Sequence, residues 1–127
     1  MLMVDIEELI DQILEEEEDI FGVAIIGKGG QLITQTENWD ISDDLGTLVP
    51  IIEGENPGSM TVQNLRYMII EHVPERIIGT NVQKKGHIVI APLGEKAGLV
   101  CYINPATGPR EVLFNVQEFA AKFKQAI

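Results

Sequence analysis

Between Met60 and Ile103 the chain passes through four β-rich segments, Met60 to Val73, Arg76 to Val82, His87 to Pro92 and Gly98 to Ile103. They are separated only by Pro74-Glu75, Lys84-Lys85-Gly86 and Leu93-Gly94-Glu95-Lys96. Parallel pairing of consecutive strands needs a crossover of roughly a dozen residues or more, so connectors this short leave an antiparallel meander. Every other element has to fit around that sheet.

Upstream, Ile6, Leu9, Ile10, Ile13 and Leu14 recur at the spacing of one apolar helix stripe, with acids on the remaining faces. Phe21 to Ile26, then Gly27-Lys28-Gly29-Gly30, then Gln31 to Thr36 reads as a β-hairpin. Asp40 or Ser42 is placed to cap a short helix through Leu45, Leu48 and Val49, and Pro50 limits its length. Gly54 to Ser59 has the composition of a loop. Downstream, Thr107-Gly108-Pro109 offers a helix start, and Val112, Leu113, Val116, Ala120, Phe123 and Ile127 continue the stripe. The order α-β-β-α-β-β-β-β-α predicts an α+β fold. Its sheet is single and antiparallel, with about six strands, and the N- and C-terminal helices pack on one face. With 127 residues the chain is one domain, 1–127, large enough to bury roughly two-thirds of its unfolded surface.

The net charge of -11 is unevenly distributed. Nine acids precede Ile20 without a base among them, whereas from Met60 onward eight bases face five acids. Two faces of opposite sign are expected. Overall acidity argues against nucleic acid and anionic membranes as main partners, and the basic half suits an acidic protein surface. Apolar runs are only a few residues long and no signal-like segment opens the chain, so no membrane insertion and a cytoplasmic location are expected.

Residues that carry chemistry are sparse. His72 and His87 are the only histidines and share no ligand spacing, so no metal and no cofactor are implied. Gly27-Lys28-Gly29-Gly30 lacks the ending of a phosphate loop and joins two strands. Cys101 sits in the apolar run Leu99 to Ile103, where a buried small hydrophobe is expected. No carboxylates pair in an evident pocket, which favours binding of other proteins over catalysis.

The run Asn64-Leu65-Arg66-Tyr67-Met68-Ile69-Ile70-Glu71 is followed by Pro74-Glu75-Arg76-Ile77-Ile78-Gly79, then Lys84-Lys85-Gly86-His87-Ile88-Val89-Ile90 and the terminal helix. This succession resembles the second half of profilin. Val23-Ala24-Ile25-Ile26-Gly27 with Gly30 resembles the first profilin strand and turn, and Ile6 to Asp11 fits its N-terminal helix. The resemblance implies a monomeric, cytoskeleton-associated protein that binds monomeric actin or an actin-like protein and regulates filament assembly. On its actin face, the resemblance places Arg66, Met68 and Glu71 on one strand. The basic pair of the next strand falls near Gly79 and Asn81, with Lys84 and Lys85 just beyond as substitutes, and Thr107, Arg110 and Asn115 lie at the start of the last helix.

Many profilins also bind proline-rich segments, which need flat aromatic rings for stacking. Here the expected helix aromatics align with Ile6 and Leu9, and the expected strand tryptophan with Ile33. Phe119 and Phe123 remain on the last helix, and Trp39 is either a core anchor or part of a replaced groove. Polyproline binding is therefore expected to be weak or absent. A second resemblance, of Lys84 to Pro92 and Tyr102 to Pro105, is to roadblock/dynein light-chain-7 domains. It would imply a dimeric scaffold associated with small GTPases or motor complexes, and a long helix between the second and third strands.

Overall fold

The computed structural model describes residues 5–127. Helix α1 (Ile6–Glu16) starts where the Asp5 carboxylate accepts the Glu7 N–H at 2.9 Å, and it buries Leu9, Ile10 and Ile13. Strands β1 (Ile20–Ile26) and β2 (Leu32–Gln35) form the expected hairpin. In its turn Gly27 donates to the Gln31 carbonyl at 2.8 Å, and Gly30 has a positive φ of 81°. Asp40 then accepts hydrogen bonds from the Ser42 N–H and hydroxyl, organising a 3-10 turn (Ser42–Asp44) that leads into α2 (Leu45–Ile52). Pro50 lies inside α2, which continues only to Ile52.

The rest of the sheet is β3 (Ser59–Val62), β4 (Leu65–Val73), β5 (Arg76–Thr80), β6 (His87–Gly94) and β7 (Ala97–Ile103). The strand order is β2-β1-β7-β6-β5-β4-β3, with every neighbouring pair antiparallel. There are seven strands rather than about six, because the segment Met60 to Val73 folds back on itself. Gln63 and Asn64 both take positive φ, 49° and 66°, and Val62 pairs with Leu65. A two-residue loop of this kind matches the right-handed twist of its strands and needs no glycine where an asparagine tolerates the left-handed region. Strand β5 ends at Thr80, not Val82, since Asn81 already donates its N–H to the Gly86 carbonyl. The Thr107-Gly108-Pro109 start becomes a 3-10 turn (Pro109–Glu111), and α3 runs from Leu113 to Ala126.

Two apolar layers flank the sheet. On one face α1 and α3 lie together, with Leu9, Ile13, Val116, Phe119 and Phe123 packed against Val23, Ile25, Val89, Leu99, Cys101 and Ile103. On the other, α2 and Trp39 cover Ala24, Ile26, Ile88, Ile90 and Val100, and this layer extends across Met60, Tyr67 and Ile77. Trp39 is thus a core anchor, 4% exposed and stacked on Tyr102. Strands β1, β6 and β7 are covered on both sides, which explains their near-continuous hydrophobic sequences. No helix among the described residues is long and apolar enough to cross a membrane.

Candidate functional site

The side chains with reactive chemistry are held in structural roles. Cys101 is fully buried, and the apolar surroundings push its thiol well above the ordinary range. His72 Nε2 lies 2.9 Å from the Ile51 carbonyl at the end of α2. His87 Nδ1 lies 2.7 Å from the Thr80 hydroxyl, and burial lowers its pKa against the opposing pull of hydrogen bonds with the Thr107 and Pro105 backbone. Among the described residues no group of three or more His, Cys, Asp or Glu side chains converges as a metal site.

One part of the sheet is left uncovered. Residues that pair across antiparallel strands share a face, and Met68 faces Thr80, Thr80 faces His87, and His87 faces Ile103 in the α1/α3 layer. Met68 therefore lies on the helix side of the sheet, beyond the point where α1 and α3 stop. Arg66, two residues earlier and opposite Thr61, shares that side and is exposed. Ile70 is the extra residue of a β-bulge between Ile69 and Glu71, and it is 52% exposed.

The start of α3 reaches this open area through an ion triplet. Glu71 accepts from Arg76 Nε at 2.5 Å and from Arg110 Nη1 at 3.0 Å. The hydrogen bonds from Arg76 and then Arg110 hold its carboxyl below the usual range. At the other end of β5 from Arg76, beside Arg66, the turn from Asn81 to Gly86 carries the exposed Lys84 and Lys85. Arg66, Met68, Lys84 and Lys85 thus lie toward one end of the β4–β5 pair, and Glu71 with Arg110 lies farther along it.

The structure separates three residues from that group. Asn81 is 6% exposed, and its side chain is committed internally: Nδ2 donates to the Arg66 carbonyl at 2.9 Å, while Oδ1 accepts the Gln83 and Lys85 N–H groups at 2.9 and 3.2 Å. Thr107 is likewise almost wholly buried. Asn115 donates to Glu17 Oε2 at 2.7 Å, at the α1 end of the helix layer. Asn81 and Thr107 are thus turned inward and Asn115 is half-buried on Glu17, whereas the resemblance implied that all three face actin. Conversely, Ile70, Val82 and Phe114 were not singled out by the sequence although they are 52%, 75% and 72% exposed. Phe114 did carry a signal: it is an apolar residue that falls off the buried stripe of its helix.

Most residues of the possible proline-rich site lie inward. Leu9, Phe119 and Phe123 lie in the core between α1, α3 and the sheet, because the α1 and α3 stripes face each other as well as the strands. Lys122 Nζ also sits 4.7 Å from the Phe119 ring centre. Ile6 packs at the margin of the same core, leaving Ile33 as the one strongly exposed member, at 41% on β2. These five residues do not form an aromatic surface.

No family model matches the sequence. Direct comparison is decisive: Loki profilin-1 from Lokiarchaeum sp. (strain GC14_75) is 48% identical over 130 residues, covering 96% of this chain and 97% of that protein. The chain belongs to the profilin family. Two solved profilin structures match over nearly all of its length. LokiProfilin1 in complex with rabbit actin has a TM-score of 0.91 at 46% identity, covering 99% of this chain and 100% of that one. LokiProfilin2 in complex with rabbit actin has a TM-score of 0.93 at 44% identity, with the same coverage. The roadblock alternative is set aside by this relationship, and by an α2 of only eight residues with Pro50 inside it where that fold would carry a long helix.

Proposed function

We propose that this profilin binds monomeric actin, or an actin-like protein, and thereby controls filament assembly, acting as a binding partner without catalysis and in the cytoplasm. The observation that carries this reading is that LokiProfilin1 and LokiProfilin2, 46% and 44% identical to this chain over nearly all its length, are solved in complex with rabbit actin. The open face around β4 is the proposed contact, with Arg66, Met68, Lys84, Lys85 and Arg110 touching the partner and Glu71 holding Arg110 toward it. Asn81 supports that face from within by tying the turn to β4. Its bases are concentrated after Met60 while acids crowd α1, so an acidic partner is steered toward the β4 end of the molecule. Proline-rich peptides bind weakly or not at all, since stacking requires rings that α1 and β2 do not carry.

The test is the spontaneous assembly of rabbit actin with and without the protein. We expect assembly to be retarded, and retarded less by the double variant Arg66→Glu, Lys84→Glu at low salt, with the difference shrinking as salt screens the charges. Unchanged assembly in the presence of excess parent protein would reject the function. Equal retardation by the double variant, combined with loss of effect on reversing acids of α1, would move the contact to the other side of the molecule.

A further inference from the structure

Of the six large hydrophobic side chains exposed among the described residues, four are Met68, Ile70, Val82 and Phe114. Two of these lie on β4, one on the turn after β5 and one in the first turn of α3, four residues beyond Arg110. Single exposed apolar residues need no explanation, but Met68 and Val82 border one cleft and Ile70 stands two residues along β4 from Met68, a grouping that marks an interaction surface. Between Met68 and Val82 lies a cleft of about 320 Å³, lined also by Asn64, Leu65, Arg66 and Gln83. That is at the small end of ligand pockets, which run roughly 300–1,000 Å³, and it suits one side chain of a protein partner better than a separate molecule.

The wall that carries Val82 is rigidly built. Asn81 ties its own turn together by accepting from Gln83 and Lys85, and it ties the turn to β4 by donating to the Arg66 carbonyl. The Lys84 N–H returns to the Asn81 carbonyl at 3.1 Å, and the Asn81 N–H to the Gly86 carbonyl at 3.1 Å. Val82 is thus held out into water by a buried amide whose nitrogen and oxygen both have partners. Such preorganisation lowers the entropy lost when a partner docks.

We propose that the cleft between Met68 and Val82 is a socket for one apolar side chain of actin, and that Val82 and Phe114, with Met68 and Ile70, carry the affinity while the surrounding bases mainly set the rate of encounter. The proposal rests on the actin reading above, and it goes beyond it by assigning the binding energy to apolar residues. Desolvated apolar and aromatic anchors ringed by charge are where interface energy concentrates. Losing an anchor raises the dissociation rate, whereas losing a rim charge lowers the association rate in a salt-dependent way. Asn81 is here a positioning residue, acting on the partner through Val82.

Stopped-flow binding to rabbit actin at low and high salt tests this. Val82→Ser and Phe114→Ser should each dissociate at least tenfold faster, about 1.4 kcal/mol, at both salt concentrations, with association unchanged. Both positions are exposed, so thermal melting should stay at the parental midpoint. Asn81→Ala should also speed dissociation, and the larger part of that effect should vanish in a Val82→Ser background, a coupling that general destabilisation would not produce. Parental dissociation rates in both serine variants, with the parent binding normally, would overturn this inference alone. A parent that binds no actin would overturn the proposed function and this inference with it.

Discussion

Strands β7 and β4 belong to one sheet and differ in how they are covered. In β7 every residue except Tyr102 is buried, because α1 and α3 close one face and α2 with Trp39 the other. In β4 only Tyr67 is buried, on the α2 side, while Arg66, Met68 and Ile70 look into water. The helix layer ends over β6, and what it leaves uncovered is where the proposed partner surface lies. The fold therefore separates two demands: the β1–β7–β6 half supplies stability, and in the other half β4 keeps one face free.

The contrast is broken most directly by truncating one apolar residue in each half. Phe123→Ala in the closed half should cost about 3–5 kcal/mol of unfolding free energy, the usual range for removing a core phenylalanine. Ile70→Ser in the open half should stay within about 0.5 kcal/mol of the parent. Urea denaturation of both would decide, and similar losses would mean that the open face is packed after all. A smaller effect probes the covered side of the open half. A Cβ at Gly79 would lie 2.6 Å from Met60 Cε and 3.0 Å from Tyr67 Cβ. Gly79→Val should thus destabilise by about 2 kcal/mol through overpacking, although the residue is in the less covered part of the sheet. A neutral result would show that the α2 layer is loose there.

The smallest effect concerns the entry to α2. Asp40 has its pKa lowered from 3.8 to about 2, first by the Ser42 hydroxyl, then by the Ser42 N–H and the Gln35 amide. Because the folded value is the lower one, these bonds contribute stability above about pH 3.8 that is lost as pH falls through about 2. Asp40→Asn should flatten the acid limb of the urea midpoint over that interval. An unchanged limb would remove Asp40 from the groups that hold the α2 layer in place.

Much of the closed half was legible in the sequence because periodicity reports burial. The stripes of α1 and α3, the glycine turn between β1 and β2, and the short links of the meander each have a local cause. The turn at Gln63-Asn64 was not legible, since neither residue is a glycine and the strand composition continues through it. The open face was partly legible. Arg66, Met68 and Arg110 followed from the resemblance, but the occupation of Asn81 by the Arg66 carbonyl and of Asn115 by Glu17 depends on residues 15 and 98 positions away in the chain. The same holds for the Glu71–Arg110 pair, which joins β4 to the 3-10 turn before α3. Such contacts exist only once the sheet is assembled, and no window of sequence contains them.

The pairing of β1 with β7 bears on how the molecule comes together in time. Val23 lies opposite Cys101 and Ala24 opposite Val100, so the first strand of the sheet has no inner neighbour until the last strand exists. The run from β3 to β7 consists of hairpins between consecutive strands, whose loops are short and quick to close. During synthesis α1, β1 and β2 emerge first and dock last, waiting with their apolar residues unshielded until Ile103 and then α3 arrive. We expect pulse-labelled hydrogen exchange to protect β5 and β6 before β1, and simultaneous protection would overturn that order. On that order the strands joined by short hairpins form first, and the N-terminal segment is the one whose delay leaves the nascent chain most exposed to aggregation.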